Sequence, residues 1–150
     1  METHKEDIVA DQYEKWVYPE PVNDLAEDQA KGVTNATSVL MVHLMYWPDG
    51  SYLKRYNKKL NILIAGCGAN SAARFAYEHP ESHITGIDLS AASLKHEEFL
   101  KKKHNLTNLT LHQMRLETVV ELGLEFDFIE SSGVLHCLIH RRASLHLQAS

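Results

Sequence analysis

A short apolar run that ends in a glycine turn is the feature that most restricts the fold of this 150-residue chain. Asn61 to Ala65 read Asn-Ile-Leu-Ile-Ala, and Gly66-Cys67-Gly68 follows directly. Continuous apolar runs of this kind suit strands buried on both faces of a parallel sheet. Asn70 can cap a helix after the turn, and Pro80 closes that helix. The pattern predicts a buried strand, a tight turn and a helix.

The same alternation continues toward the C-terminus. Further strands are predicted at His83–Ile87, Leu109–His112 and Phe126–Glu130, with helices at about 91–104, at 117–122 and from Val134 onward. This order predicts an α/β fold with a Rossmann-like, doubly wound parallel sheet. Right-handed crossovers give the strand order 3-2-1-4, which is incomplete for such a sheet, with the switch point between strands 1 and 4.

The first sixty residues have a different character. Three helices are predicted there, the first at Glu6–Val17. The second is capped by Asn23 or Asp24 and ended by Gly32. The third is capped by Thr37 or Ser38 and runs toward Trp47. We therefore predict an N-terminal helical cap or lid over residues 1–60 and an incomplete Rossmann-like core over residues 61–150.

The charge and composition of the chain limit the classes of partner and the cellular location that we expect. The net charge is −5, which gives no electrostatic reason to expect nucleic acid or an anionic membrane surface. No apolar run approaches the ~18 residues of a membrane span, and the charged first residues do not form a signal peptide. Cys67 and Cys137 make no disulfide framework. A cytoplasmic location is expected.

The glycine turn and Asp88 carry the first chemical signal. Gly66 and Gly68 allow a tight turn and a close ligand approach, but the third glycine of the dinucleotide fingerprint is replaced by Ser71. Asp88 ends the second strand, where a carboxylate can accept both ribose hydroxyls of a nucleoside, with bonds worth about 1.5–3 kcal/mol. A ribose alone does not separate NAD from S-adenosylmethionine (SAM).

The fourth strand separates these cofactors better. Residues 126–136 read Phe-Asp-Phe-Ile-Glu-Ser-Ser-Gly-Val-Leu-His. This string resembles the fourth strand and following turn of class I, Rossmann-like SAM-dependent methyltransferases, with Cys137 in place of a second histidine. Together with Ile62–Asn70 and Thr85–Ser90, the resemblance runs from about Asn61 to Leu138.

The resemblance implies a SAM site and a role for each matching residue. Gly66, Cys67 and Gly68 match the loop under the amino-acid part of SAM, and Asn70 completes that motif. Asp88 matches the ribose-binding acid. The other implied cofactor contacts are Leu89, which packs on adenine, Arg115 and Leu116, which border adenine, and Ser131 and Ser132 beside the reactive methyl. Many relatives hold the adenine amino group with an Asp where this chain has Arg115, which cannot accept that bond.

Methyl transfer needs a general base only when the acceptor must lose a proton. His136 and Tyr18 are the candidates, and Tyr13 and Tyr18-Pro19 fit the aromatic lid of some members. His136 and His140 lie four positions apart but lack a third nearby ligand, so no metal is predicted. The Gly-x-Ser-x-Gly elbow of a hydrolase is absent. The acceptor, a small molecule or a protein, is not determined.

The end of the chain leaves alternatives open. The family continues after its fourth strand with a helix and a fifth strand, which the last residues do not resemble, so a truncated or frame-shifted product is one expectation. Strand 4 would then be an edge open to association with a partner. The alternatives to an enzyme are a non-catalytic Rossmann-like fragment or interaction module and, more distantly, an NAD-dependent oxidoreductase.

Overall fold

The computed structural model describes residues 20–34, 42, 45–49, 51 and 59–131. Its helices are α1 (Leu25–Ala30), α2 (Ser71–Glu78) and α3 (Ala91–Lys103), together with a 3₁₀ helix at Leu116–Leu122. Its strands are β1 (Asn61–Ala65), β2 (His83–Asp88), β3 (Leu109–Gln113) and β4 (Phe128–Glu130).

The four strands form one parallel sheet in the order β3-β2-β1-β4, which confirms the predicted topology. β1 is central and pairs with β2 from Asn61 to Ala65 and with β4 from Ile62 to Ile64. Four of its five residues are buried because helices and loops cover both faces. The carboxyl ends of β1 and β4 lie side by side, and they mark the predicted switch point.

The sheet separates two apolar clusters. The larger one lies on the side of α2 and α3, where Phe75 and Leu100 pack against Ile62, Ile64 and other buried residues. The smaller one contains Leu63, Ala65 and Ile87 on the other face. The two sets alternate along β1, as the period of two in a strand requires. Both faces of β1 are therefore core, which explains its continuous apolar sequence.

Gly86 in β2 lets α2 approach the sheet closely. A Cβ at this position would lie 2.7 Å from the Cβ of Ala72 and 2.9 Å from Cδ2 of Leu111. It would also lie 3.4 Å from Sγ of Cys67. The first turn of α2 thus rests directly on β2, behind the glycine turn.

Two predicted elements differ in detail. β4 is shorter than predicted, since it begins at Phe128. Asp127, directly before it, still bonds β1: Asn61 N donates to Asp127 Oδ2 at 2.8 Å, and Asp127 N donates to Asn61 O at 2.8 Å. The helix predicted at 117–122 is 3₁₀ rather than α, and Gly123 ends it in the left-handed region with φ 62°. Pro80 and Ser90 act as predicted: α2 ends at Glu78, and Ser90 Oγ caps α3 by accepting from Ser93 N.

Residues 20–34 form the described part of the predicted N-terminal cap. Asp24 caps α1 by accepting from Ala26 N and Glu27 N, and Gly32 follows the helix with φ 77°. These positions confirm the predicted helix and assign its cap to Asp24 rather than Asn23. The predicted helix at Glu6–Val17 lies outside the described residues.

This segment is held on α2 and α3 by polar contacts. Arg74 in α2 forms an ion pair with Asp28 at 2.9 Å, with side chains only 11% and 21% exposed. Leu25 N donates to Nε2 of His104 at 3.1 Å, and the Leu25 side chain is buried in the larger core cluster. Within the described ranges, no helix is long and apolar enough to cross a membrane.

Candidate functional site

The glycine turn connects β1 to α2 at the carboxyl edge of the sheet. Gly66 and Gly68 both have a positive φ, at 71° and 59°, which L side chains adopt at a cost. Gly66 N and Cys67 N both donate to the carbonyl oxygen of Ile87, at 2.8 and 3.0 Å. These bonds fasten the turn to the end of β2 and place it beside Asp88.

Asp88 connects the glycine turn to the start of α3. Its Oδ2 accepts from Gly68 N and its Oδ1 from Ser90 N, each at 2.8 Å. A carboxylate has about four lone-pair sites, so each oxygen can accept one further bond. The partly buried carboxylate is thus fixed in orientation and can still take two donors, such as the hydroxyls of a ribose.

Leu89 and the end of β3 form the neighbouring wall. The Leu89 side chain is 49% exposed although it is apolar. Gln113 Nε2 donates to Leu89 O at 3.0 Å, and Met114 N donates to Asp88 O at 3.1 Å. These bonds bring the segment that begins with Arg115 to the side of Leu89. An exposed apolar side chain at this place suits the face of a flat heterocycle.

Arg115 and Leu116 take different positions on this wall. Arg115 is exposed and precedes the first turn of the 3₁₀ helix. Leu116 is partly buried and packs on the smaller core cluster with Val119. Leu116 therefore belongs to the core, whereas Arg115 follows the segment that bonds Asp88 and Leu89.

Asn70 does not cap α2 with its side chain, which corrects the sequence prediction. Asn70 occupies the N-cap position, but its side chain makes no capping bond there. Instead its Nδ2 donates to the carbonyl oxygen of Glu20 at 3.3 Å. Asn70 therefore connects the N-terminal segment to the turn that follows the glycine loop.

Glu97 supplies the bonds that Asn70 does not, and the sequence interpretation missed it. Glu97 Oε1 accepts from Ala72 N at 2.9 Å, and Oε2 accepts from Ala73 N at 2.7 Å. The signal was present in the sequence: Ser93, Glu97 and Leu100 share one face of α3, and all three are buried. An acidic residue in a buried stripe must find a partner, because burying an unpaired charge is costly.

Cys67 faces the core rather than a ligand. Its side chain is fully buried, and burial raises the pKa of the thiol well above its usual range, with the Glu97 and Asp88 carboxylates adding to the increase. Its place beneath the amino-acid part of a cofactor stays a prediction, and the buried thiol leaves backbone atoms for such a contact. Among the described residues, no group of three or more His, Cys, Asp or Glu side chains is arranged to hold a metal ion.

Ser131 directly follows β4, whose last residue, Glu130, pairs with Ile64 of β1. Its Oγ is buried and has no hydrogen-bond partner among the residues that the structure describes. Buried hydroxyls are normally satisfied, so this oxygen fits a site that takes a polar group. The remaining predicted residues, Ser132, His136 and Tyr18, lie outside the described ranges, as do Tyr13, Pro19 and His140.

Comparisons with known proteins agree with this geometry. A family model described as a methyltransferase domain matches residues 56–147. An uncharacterized protein of Synechococcus is 37% identical over 79 residues, which are 51% of this chain and 19% of that protein.

The solved structure of WbdD shares the fold of this chain. The WbdD protein in complex with a kinase inhibitor aligns with 83% of this chain and 29% of its own, with 19% identity and a TM-score of 0.55. PKMT2 from Rickettsia typhi in complex with AdoHcy aligns with 51% of this chain and 15% of its own, with 23% identity and a TM-score of 0.46. The chain thus spans less than a third of either structure and about a fifth of the Synechococcus protein. Because the family model covers more than half of this chain, and the parallel sheet and its glycine turn agree with it, the chain belongs to the methyltransferase-domain family.

Proposed function

We propose that this chain binds SAM at the carboxyl edge of its sheet and transfers the methyl group to an acceptor. The observation that carries the proposal is the arrangement of Asp88, whose carboxylate is held by Gly68 N and Ser90 N at the end of β2. Membership of the methyltransferase-domain family supports the same reaction.

The residues present fit this cofactor. Asp88 would hold the ribose hydroxyls with its remaining acceptor sites, and Leu89 would pack on the adenine. The backbone of Gly66 and Gly68 would approach the amino-acid part, because neither residue has a Cβ in the way. The buried Oγ of Ser131, which has no hydrogen-bond partner in the described part of the chain, lies at the adjacent strand end.

Methyl transfer from SAM requires little from the protein beyond positioning the cofactor and the acceptor. SAM, when bound, supplies an activated methyl group on a sulfonium that can be displaced in line. The residues of this chain then orient the cofactor, keep water away and leave one side open to the acceptor. His136 and Tyr18 remain candidates for a base in case the acceptor must lose a proton.

The acceptor and the surroundings are also part of the proposal. We expect a cytoplasmic protein whose acceptor is a small molecule or a protein, with no preference for nucleic acid or membranes. β4 pairs with β1 along one edge, and no second strand among the described residues covers its other edge. We therefore expect association there, either with further strands of a longer protein or with a partner.

Calorimetry with S-adenosylhomocysteine tests the proposal on the full chain. Wild-type protein should bind, and Asp88→Ala should bind at least about tenfold more weakly, equivalent to about 1.4 kcal/mol. Asp88→Asn keeps one acceptor oxygen for the turn and should also weaken binding. Asp127→Asn, at the opposite end of the sheet, is the matched control and should bind like wild type.

The outcomes separate the functions. No binding by wild type at millimolar ligand would refute the cofactor and favour the non-catalytic module. Binding that is unchanged in both Asp88 variants would remove Asp88 from the site while leaving the cofactor in place.

A further inference from the structure

Glu97 is a buried acid that bonds the first turn of α2, directly after the glycine turn. Its side chain is 0% exposed, and its two oxygens accept from consecutive backbone N–H groups in the first turn of α2. The first N–H groups of a helix have no partner within the helix. Glu97 therefore fixes the start of α2 from α3, in a place where the nominal cap, Asn70, makes no such bond.

Among the described residues, the ionisable side chains that act on Glu97 are the Asp88 carboxylate and the Cys67 thiol. Burial, with a smaller contribution from the Asp88 carboxylate, raises the pKa of Glu97 to about 8, although hydrogen bonds from Ala73 N, Ala72 N and the Cys67 thiol act in the opposite direction. Within the described ranges, no lysine, arginine or histidine forms an ion pair with Glu97 or Asp88. Ionised Glu97 therefore adds a second negative charge beside Asp88.

We propose that Glu97 is a positioning residue of the cofactor site: it holds the first turn of α2 behind the glycine loop, and its ionised form favours the methyl donor, which carries a sulfonium, over the product, which does not. This inference rests on the proposed function, and it names a feature by which that site distinguishes SAM from S-adenosylhomocysteine.

The charges of the two ligands give the reason. SAM carries a sulfonium that S-adenosylhomocysteine lacks, so the two ligands differ by one positive charge and one methyl group. A cation bound beside Asp88 stabilises the negative charge of Glu97, whereas the product does so less. By linkage, SAM must then bind more tightly to the ionised form, and its binding must lower the pKa of Glu97.

The experiment compares both ligands across pH on the full chain. Affinities for SAM and for S-adenosylhomocysteine are measured by calorimetry from pH 6.5 to pH 9 in wild type and Glu97→Gln. Because both proteins bind the same ligands, comparison with Glu97→Gln cancels the effect of proton binding to the ligands themselves. Relative to Glu97→Gln, the preference of wild type for SAM should rise by at least about threefold over this range, as expected for one charge acting across a partly screened protein interior.

Glu98→Gln is the matched control, since Glu98 is the next residue of α3 but points outward to Lys102 at 3.8 Å. It should keep the wild-type pH profile. As a second measurement that needs no variant, the carboxyl ¹³C resonance of Glu97 is followed through pH. Its midpoint should move down with SAM and move less with S-adenosylhomocysteine.

Each result is decisive. An equal pH profile in wild type and Glu97→Gln, or a Glu97 midpoint that both ligands move equally, overturns the inference while leaving the cofactor site intact. Failure of wild type to bind either ligand overturns the proposed function and the inference with it. The inference is supported if the pH dependence of the preference for SAM changes in Glu97→Gln but not in Glu98→Gln. A side chain with a purely structural role would change the affinities for SAM and for S-adenosylhomocysteine equally.

Discussion

Glu97→Gln should change how stability depends on pH, because this residue binds its proton more tightly in the folded state than in the unfolded chain. The ordinary pKa of a glutamate is 4.5, and burial among the residues of α2 raises the pKa of Glu97 to about 8. Between these two values the folded protein holds a proton that the unfolded chain has lost. The free energy of unfolding must therefore fall as pH rises.

The magnitude follows from the same two values. One pKa unit corresponds to about 1.4 kcal/mol, so the full contribution, complete below pH 4.5 and lost above pH 8, is about 5 kcal/mol. Between pH 6 and pH 9, wild type should lose about 3 kcal/mol relative to Glu97→Gln, which does not titrate.

Urea unfolding followed by circular dichroism measures this difference, with the midpoint and slope recorded at each pH. The comparison between the two proteins cancels the titration of all groups that they share. Glu98→Gln should run parallel to wild type, since the side chain of Glu98 is 42% exposed. Parallel curves for wild type and Glu97→Gln would refute the reasoning, because they would show that Glu97 has the same proton affinity in both states.

Two further changes test the packing and the docked N-terminal segment. Gly86→Ala should lower the free energy of unfolding by about 1–3 kcal/mol, because a Cβ at this buried strand position would overlap neighbouring side chains. If urea unfolding showed the variant to be as stable as wild type, α2 would have to move away from β2 without cost. Arg74→Met should speed hydrogen exchange in residues 25–30 by about tenfold, because it leaves the partly buried Asp28 carboxylate unpaired, at a cost of about 1–3 kcal/mol. Unchanged exchange there, with β1 amides as the internal reference, would show that other contacts hold the segment.

The periodicity of the sequence determined the sheet. The apolar run at Asn61–Ala65 predicts a strand buried on both faces, and the structure places it between β2 and β4 with core clusters on both sides. The order of strands also followed, because right-handed crossovers leave few arrangements. Local signals located Ser90 as one cap and limited the other to Asn23 or Asp24, since a capping side chain bonds to residues close in sequence.

The site was predicted as a set of strand ends but not as a set of contacts. The sequence placed Gly68 and Asp88 at the same edge of the sheet, and the 2.8 Å bond between them confirms their proximity. It did not predict that Cys67 faces the core, because the direction of a side chain in a tight turn depends on backbone angles that only the folded chain fixes.

Only the tertiary structure decided how α2 begins. The sequence offered Asn70 as the cap, because it stands directly before the helix, yet the bonds come from Glu97, which lies on another helix. Such a contact depends on how α3 packs against α2, because it joins residues 24 and 25 positions apart in the chain. The sequence by itself thus determined the glycine turn and the strands around it, whereas the buried carboxyl group of Glu97 reaches the start of α2 only because distant segments meet.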